Sequence, residues 1–374
     1  MFPKNIKLAI VCDWLTNFGG AEKIIIALHQ LFPNAPIYTS IYNRDKMKGF
    51  EDADIKTSYL QDFPFAKTRH QLYLPFLPNV FEKMDLSGFD IVISSSHSCA
   101  KGIITGPETL HICYCHTPMR YAWDDSLNYI NDYAANTIVK QLAKFYIHRL
   151  RIWDRLSADR VDNYIANSHF VQQRINKYYR RPSTVIHPFV DVKEFTVGTI
   201  KDNYFLAVGR LTPYKKFDLI IETFNHLGLP LKIAGDGVAM RKLKNMAKGN
   251  IEFLGHVTEN QLKELYCKAR AMIFPQVEDF GITPLEAMAS GCPVIAFAKG
   301  GALETVIDRK TGLFFKIQTV EALRHAINQF QEINFKYEQI RKHAEKFDRE
   351  VFNGKILEFI AEKWQHHIEQ INKN

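Results

Sequence analysis

Short β-branched segments alternate with amphipathic segments along almost the whole chain, in two successive series. Strands that alternate with helices of about ten residues form parallel sheets, because a helix fits naturally into each right-handed crossover. Predicted strands lie at 7–11, 90–96, 111–116, 163–168, 184–188, 205–209, 231–235, 251–255, 271–275 and 293–297, and intervening helices include 21–32, 218–227 and 259–269. The sequence predicts an α/β fold with two doubly wound, Rossmann-like domains.

The apolar periodicity stops between residues 188 and 202, and we place a domain boundary there. We assign 1–190 to an N-terminal domain and 200–350 to a C-terminal domain, and expect a final helix at about 352–374 to pack back on the first. In doubly wound folds ligands bind beyond the carboxyl ends of the strands. We therefore expect the site in the crevice between the domains.

The apolar runs and the cysteines of the sequence indicate the cellular compartment of the protein. The apolar runs are shorter than the ~18–20 residues of a membrane span. The run before Asp13 is only LAIVC, which is typical of a first strand rather than a secretory signal. The six cysteines are scattered, and we expect buried thiols in a reducing compartment. These features predict a cytoplasmic protein.

The segment EDFGITPLEAMASGCPVIAF places Glu278 and Glu286 on either side of a predicted strand-to-helix turn. In one interpretation Thr283 caps the helix and Glu286 completes a capping box, which only satisfies backbone donors. In the other, the helix N-terminus binds a phosphate that approaches past Gly281, and the two carboxylates accept hydrogen bonds from a sugar. The pattern alone fits both.

A second segment, AVGRLTPYKKFDLII, brings Arg210 and Lys215 to the end of a predicted strand. Arginine binds a diphosphate bidentately and lysine binds it as a point charge, so the pair suits such a ligand. A solvated basic loop is the alternative.

Two further segments carry weaker signals. Gly19 and Gly20 separate the first strand from a helix, which fits either a ligand at the helix N-terminus or a plain tight turn. His116 ends a strand just before Pro118, at an expected crevice edge, where a structural and a functional histidine are equally compatible with the pattern.

Together these segments resemble the retaining glycosyltransferases of family four, also called glycosyltransferase group 1, which have the GT-B fold. The family signature E-x7-E, followed by an alanine-rich helix and a G-x-P-V strand, matches Glu278 to Glu286 and then AMASGCPVIA. The family's G-R-L-x-x-x-K matches Gly209 to Lys215, and its glycine-rich first turn matches residues 19–22.

The resemblance implies roles for individual residues. Arg210 and Lys215 would hold the donor diphosphate, and Glu286 would accept from the ribose hydroxyls. Glu278 would face the transferred sugar, with His116 beside it. The residues so assigned to donor binding are Gly19, Gly20, Arg210, Lys215, Glu278, Gly281, Ile282, Thr283 and Glu286, and those assigned to catalysis are Glu278, His116, Arg210 and Lys215.

The segments HTPMRYAWD and SSSHSCAKG resemble the branch that builds bacterial O-antigen, capsule and exopolysaccharide chains. This implies transfer of a hexose, with GDP-mannose favoured as donor, onto a polyprenyl-diphosphate-linked or oligosaccharide acceptor. Many relatives have glycine where this chain has Asp279, so a negative charge is added near the sugar. The resemblance leaves the donor base and sugar open.

The family's mechanism is retaining: the acceptor hydroxyl attacks from the face of departure, and a donor phosphate oxygen takes its proton. Glu278 would then support charge or orientation without forming a covalent bond. We recognise no Asp-x-Asp pair for a divalent metal in the sequence, so we expect transfer without metal or cofactor.

Most of the net charge of +8 lies in residues 140–181, where ten Lys or Arg face three Asp. Residues 140–156 combine two stripes at helical spacing, an apolar one (Leu142, Phe145, Tyr146, Leu150, Trp153 and Leu156) and a basic one (Lys140, Lys144, His148, Arg151 and Arg155). An interfacial helix on an anionic inner membrane surface fits this pattern, as does an ordinary helix with a solvated face. The aromatic, proline-rich connection 59–81 is a second candidate for that surface. No nucleic-acid module is recognisable, so nucleic acid is not predicted as a partner.

Other functions fit the same scaffold. A sugar-nucleotide epimerase or hydrolase would release products without an acceptor, and a non-catalytic protein would only bind the sugar nucleotide. A phosphorylase would need a lysine for a cofactor aldehyde, in a setting that this sequence does not show.

Overall fold

The structure is a computed structural model that describes residues 6–124, 126 and 137–373. It divides into two compact units. Unit 1 comprises Met1–Ile186 and Asn353–Asn374, and unit 2 comprises His187–Phe352. The last helix therefore begins in unit 2 and continues into unit 1.

Unit 1 is built on a sheet of seven parallel strands in the order β3-β2-β1-β4-β5-β6-β7. The strands are β1 (Leu8–Cys12), β2 (Ile37–Thr39), β3 (Ile55–Thr57), β4 (Ile91–Ser96), β5 (Leu110–Cys115), β6 (Asn163–Ala166) and β7 (Ser183–Val185). The three central strands β1, β4 and β5 are buried along their whole length, as expected for a parallel sheet covered on both faces. The order of the strands reverses between β1 and β4.

The described helices of unit 1 connect these strands. They are α1 (Gly20–Leu31), α2 (Leu77–Glu82), α3 (Thr137–Ser157), α4 (His169–Tyr179) and the part of α12 (Arg349–Ile371) that follows residue 352, with 3-10 turns at Tyr59–Asp62, His70–Phe76, Ala100–Gly102 and Ala158–Arg160. On α1, Ile24, Ile25 and Leu28 recur at helical spacing and are buried, which explains why this helix lies against the sheet.

Unit 2 has a second parallel sheet, of six strands in the order β10-β9-β8-β11-β12-β13. The strands are β8 (Phe205–Val208), β9 (Leu231–Ala234), β10 (Ile251–Gly255), β11 (Met272–Phe274), β12 (Val294–Phe297) and β13 (Gly312–Phe315). Here the order reverses between β8 and β11. Both units are therefore doubly wound and Rossmann-like, which confirms the predicted fold class.

The described helices of unit 2 alternate with its strands. They are α5 (Phe217–Leu227), α6 (Met240–Met246), α7 (Glu259–Lys268), α8 (Ile282–Ala289), α9 (Ala302–Thr305), α10 (Val320–Gln331), α11 (Tyr337–Ala344) and the first turn of α12, with 3-10 turns at Val192–Glu194, Pro213–Lys215 and Glu345–Phe347. A single apolar core runs through this unit, from Leu206 in β8 to Ile340 in α11.

Helix α3 contains the predicted helix 140–156, but the prediction of one apolar face was wrong. Three of its six apolar residues lie in or against the core of unit 1, namely Tyr146, Leu150 and Trp153. The other three are exposed, namely Leu142, Phe145 and Leu156. At 100° per residue the two sets lie on neighbouring but different sides of the helix. No helix in the described part of the chain is both long and apolar enough to cross a bilayer.

Candidate active site

In unit 2, the loops that follow β8 and β11 meet where the strand order reverses. The β8 loop carries Arg210 and Lys215, and the β11 loop carries Glu278. Doubly wound sheets bind ligands at such a reversal, beyond the carboxyl ends of the strands. The fold thus brings two segments that are more than sixty residues apart in sequence to one predicted binding edge.

Lys215 and Glu278 form an ion pair across this reversal, with 3.0 Å between Nζ and Oε1. Only 14% of the Lys215 side chain and 23% of the Glu278 side chain are exposed. Lys215 ends the 3-10 turn Pro213–Lys215, and the next residue, Lys216, takes the left-handed conformation (φ +57°) at the start of α5. A short, sharply bounded turn therefore fixes the direction in which Lys215 points.

Arg210 lies on the same loop but differs from Lys215 in its surroundings. Its side chain is exposed, and within the described residues no acid pairs with it. The two cations predicted to act together are thus near each other in sequence, one held by a carboxylate and the other facing solvent.

Helix α8 begins at Ile282, with Gly281 as the N-cap residue and no side-chain cap. The predicted capping box of Thr283 and Glu286 is therefore wrong. Gly281 takes a left-handed conformation (φ +89°), which glycine adopts readily. The helix therefore begins two residues earlier than it would with Thr283 as the N-cap residue. The first backbone N–H groups of α8 are left without a side-chain acceptor from a cap.

Glu286 has a different partner from the one predicted for it in the capping box. Its Oε2 accepts a hydrogen bond from the Tyr266 hydroxyl at 3.3 Å. Burial, and next the Glu286 carboxylate, raise the pKa of Tyr266 well above its usual value, so the hydroxyl stays a donor. The Tyr266 hydroxyl is thus one partner of Glu286, which lies on the first turns of α8.

The loop after β12 supports the loop that carries Glu278, a feature not predicted from the sequence. Gly301 N donates to the Glu278 carbonyl at 3.0 Å. A Cβ at Gly301 would lie 2.2 Å from both the Cα and the carbonyl oxygen of Phe280. The sequence signal was the pair Gly300-Gly301, separated from a strand by two residues, at a position where backbones often approach closely.

We expect Gly301→Ala to displace the Glu278 loop, because the new methyl group would collide with backbone atoms. The free energy of unfolding of unit 2 should fall by about 1–3 kcal/mol, the usual cost of overpacking. Differential scanning calorimetry would measure this. Gly249→Ala is the matched control, since a Cβ at that position meets open space. An unchanged transition in Gly301→Ala would contradict the close approach.

In unit 1 the strand order reverses between β1 and β4, and the buried carboxylate of Asp13 lies at this point. Asp13 accepts hydrogen bonds from the backbone N–H groups of His97 (2.7 Å), Ser98 (2.9 Å) and Ala100 (2.7 Å). A carboxylate with three such donors fixes the loop after β4. Asp13 was not predicted, since an aspartate directly after a strand is more often solvated.

A group of aromatic rings surrounds this carboxylate. His97 Nδ1 lies 3.2 Å from Asp13 Oδ2, and the Trp14 ring stacks on His70 and meets His97 edge-on. The ring centroids of His97 and His116 are 6.4 Å apart. Of these residues only His116 was selected from the sequence. The fold brings Asp13, Trp14, His70 and His97 together near it.

His116 follows β5 and is partly buried. Its Nε2 lies 2.8 Å from Ser95 Oγ. Burial, with a smaller contribution from His97, lowers the pKa of His116 to about 3. At neutral pH the imidazole is therefore uncharged, and it can exchange hydrogen bonds but cannot act as a cation.

Of the other residues predicted in unit 1, Gly19 is the N-cap residue of α1 and Gly20 is its first residue.

Two further buried histidines make unit 1 sensitive to acid. Burial lowers the pKa values of His70 and His111 to about 4. Between pH 6.5 and 4 these histidines bind protons in the unfolded chain but not in the folded chain. The folding stability that is present above pH 6.5 is therefore lost as the pH falls towards 4. Each histidine contributes a slope of up to about 1.4 kcal/mol per pH unit in that window.

We expect His111→Gln to remove one such slope. All four tryptophans lie in unit 1, so tryptophan fluorescence in urea at pH 7, 6 and 5 reports on that unit. The variant should lose less stability than the parent between pH 7 and 5. Parallel pH profiles for the two proteins would contradict the assignment.

The expectation that the chain has no Asp-x-Asp pair was wrong, because Asp52 and Asp54 form one. Both carboxylates are exposed: Asp52 lies 3.3 Å from His29 Nε2 and Asp54 lies 2.9 Å from Lys56 Nζ. The pair precedes β3, at the amino end of the strand, so it does not belong to the edge where Asp13 and His97 lie.

Two family models match consecutive parts of the chain. The model described as Glycosyltransferase Family 4 matches residues 18–194, and the one described as Glycosyl transferases group 1 matches residues 193–347. The match therefore extends through both units.

Two proteins named as mannosyltransferases are similar to the chain in sequence. The O-antigen chain mannosyltransferase RfbU of Salmonella typhimurium is 31% identical over 205 residues, which cover 49% of this chain and 58% of RfbU. The chain thus spans little more than half the length of that relative. The alpha-1,3/1,6-mannosyltransferase ALG2 of Dictyostelium discoideum is 25% identical over 394 residues, covering 87% and 89%.

Among solved structures, Anabaena Alr3699/HepE in complex with UDP superposes with a TM-score of 0.70 at 17% identity. The superposition covers 96% of this chain and 100% of that one. Similarity at this level of identity shows a shared fold.

Proposed function

Since the chain belongs to the glycosyl transferases group 1 and has their two-domain GT-B fold, we propose that it transfers mannose from a sugar nucleotide to a glycosyl acceptor. The observation that carries this proposal is the Lys215–Glu278 ion pair at the reversal of the unit 2 sheet. A cation that would bind a phosphate and a carboxylate that would accept from sugar hydroxyls lie side by side there, which supports the proposal.

Unit 2 would bind the donor through three groups. Arg210 and Lys215 would neutralise the diphosphate, and the uncapped N–H groups at Gly281, Ile282 and Thr283 would donate to its oxygens. Glu286, whose Oε2 accepts from Tyr266, would also accept from a ribose hydroxyl. Fixed donors aimed at the leaving group stabilise its developing charge, which is usually the largest contribution to catalysis.

We propose transfer with retention. The bond between the anomeric carbon and the diphosphate breaks, the acceptor oxygen forms a new bond from the same face, and its proton goes to a donor phosphate oxygen. Glu278 would orient the sugar. In unit 1, the neutral imidazole of His116 would exchange hydrogen bonds with substrate hydroxyls. This scheme needs no metal, so we expect EDTA to leave the rate unchanged.

GDP-mannose is our favoured donor, because RfbU and ALG2 are both named as mannosyltransferases. A UDP-sugar is the second candidate, because the similar HepE structure holds UDP. We propose a polyprenyl-diphosphate-linked sugar or an oligosaccharide as acceptor, in the synthesis of a cell-surface polysaccharide.

Thermal stabilisation by a panel of sugar nucleotides would test the donor. A ligand at 100 times its dissociation constant adds ~2.7 kcal/mol, and we expect GDP-mannose to stabilise the chain more than UDP-glucose or GDP-glucose does. Product analysis then separates the alternatives. Release of free sugar that no acceptor increases would indicate a hydrolase or epimerase, and binding without turnover would indicate a binding protein. No stabilisation by any sugar nucleotide would contradict the proposal.

A further inference from the structure

Helix α3 has three sides with different properties. One side packs into unit 1 through residues such as Leu150 and Trp153. A second carries Lys144 and His148, both exposed. The third, which we call the outer stripe, is exposed and mainly apolar; it consists of Leu142, Phe145, Arg149, Ile152 and Leu156. These residues recur at steps of three and four, so they form one continuous line along the helix.

An exposed aromatic loop adjoins the outer stripe. Residues 59–76, which we call the aromatic loop, present apolar side chains to solvent at Tyr59, Phe63, Phe65, Leu72 and Phe76. The Tyr146 hydroxyl of α3 donates to the Leu74 carbonyl of this loop at 2.8 Å. Because Tyr146 lies one turn beyond Leu142, the loop and the stripe meet there.

The aromatic loop is held in shape by its own bonds. Phe65 takes a left-handed conformation (φ +59°), which is rare for a bulky residue. Its carbonyl accepts from the backbone N–H groups of Thr68 (3.1 Å) and Arg69 (2.7 Å). Tyr73 contacts Phe63 and Phe76 through its ring. The outward position of Phe65 is therefore built into the turn, and the backbone strain it carries is of the kind found at functional sites.

The apolar residues of the outer stripe and the aromatic loop keep between 44% and 67% of their surface exposed. An exposed apolar group of this extent on one unit is typical of an interaction surface.

The charge around this surface is mainly positive, and Asp62 is the one acid of the aromatic loop. Lys67 and Arg69 project from the aromatic loop, and Lys144 and Arg149 from α3. From residue 63 to 81 and from 140 to 153 the sequence contains no aspartate or glutamate. Within the described part of the chain, no acid pairs with these four side chains. Their charge is thus available to an anionic partner.

We propose that the outer stripe and the aromatic loop dock unit 1 onto an anionic lipid bilayer. Apolar side chains flanked by lysine and arginine are the pattern of a surface that lies in the headgroup region of a membrane. A second copy of the chain fits less well, because a two-fold symmetric contact would bring the same cations together. The inference rests on the proposed function in one respect: a lipid-linked acceptor would lie in such a bilayer. Docking itself does not require the donor to bind.

Vesicle flotation of the full chain tests the proposal. We expect the chain to bind phosphatidylcholine vesicles that contain phosphatidylglycerol at low salt, and to be released by high salt. Pure phosphatidylcholine vesicles should bind at least about tenfold less. The variant Phe65→Ser/Phe145→Ser should lower partitioning at least about tenfold, and so should Lys67→Glu/Lys144→Glu.

Two control variants are matched to these. Ile200→Ser/Val238→Ser removes two apolar residues that are 83% and 87% exposed elsewhere, and Lys310→Glu reverses an exposed charge in unit 2. Both should bind vesicles like the parent. Equal binding by the surface variants and the parent would overturn the proposal, as would equal binding to both kinds of vesicle. A dimer that the phenylalanine variant dissociates without vesicles would show that a second copy covers the surface, which also overturns it.

Donor binding is measured separately, by thermal stabilisation without vesicles, and should be the same in the parent and in all these variants. Loss of vesicle binding with intact donor binding therefore concerns the docking surface alone. Intact vesicle binding without any donor binding would instead contradict the proposed transferase.

Discussion

Arg210→Ala should lower kcat at least ~100-fold, the cost of one lost contact to the charge that develops on the diphosphate. Its exposed side chain has no described acid to stabilise, so the melting temperature should hardly change. Steady-state transfer with the donor that stabilises the chain gives kcat, and calorimetry gives the melting temperature.

The matched control for this substitution is Arg324→Ala. Arg324 is another exposed arginine of unit 2 and lies on α10, which follows β13 and not β8 or β11. It should keep the parental kcat. An Arg210→Ala enzyme with normal turnover would remove Arg210 from the donor site, whatever the donor proves to be.

Lys215→Met should lower both activity and stability. The substitution leaves the carboxylate of Glu278, which is only 23% exposed, without its cation. We expect a loss of ~1–3 kcal/mol in the free energy of unfolding of unit 2, and a fall in kcat of at least ~100-fold because the diphosphate loses its point charge. Calorimetry and steady-state transfer measure the two effects.

The double variant Lys215→Met/Glu278→Gln separates these effects. Replacing both partners of a largely buried ion pair by neutral groups is often nearly neutral for stability. The double variant should therefore regain much of the stability lost in Lys215→Met while remaining inactive. If activity returned together with stability, the pair would have a structural role only.

The alternation of strands and helices was sufficient to predict the two parallel sheets, because periodicity is a local property of the sequence. It failed at two of the four three-residue strands. β2 and β3 were missed, whereas β7 and β11, which are equally short, were predicted. β13 was also missed, although its four residues are apolar.

The candidate site was predictable where a family motif names its residues and unpredictable where long-range contacts decide. Lys215 and Glu278 were both selected from the sequence, but nothing in it showed that they pair. The capping box failed because local spacing favoured Thr283, whereas the left-handed Gly281 starts the helix earlier. Asp13 was missed because its three donors come from a loop more than eighty residues away.

The close approach of Gly301 to Phe280 affects how the proposed donor site would be redesigned. A chimaera that takes only residues 277–282 from a homologue would pack them against residues 299–301 of this chain. The two loops would then not fit each other sterically. A graft that also imports residues 299–301 would carry the complementary backbone with it. Specificity in this enzyme should therefore be exchangeable only as a matched pair of loops, and a library that diversifies one of them alone would mostly sample misfolded sites.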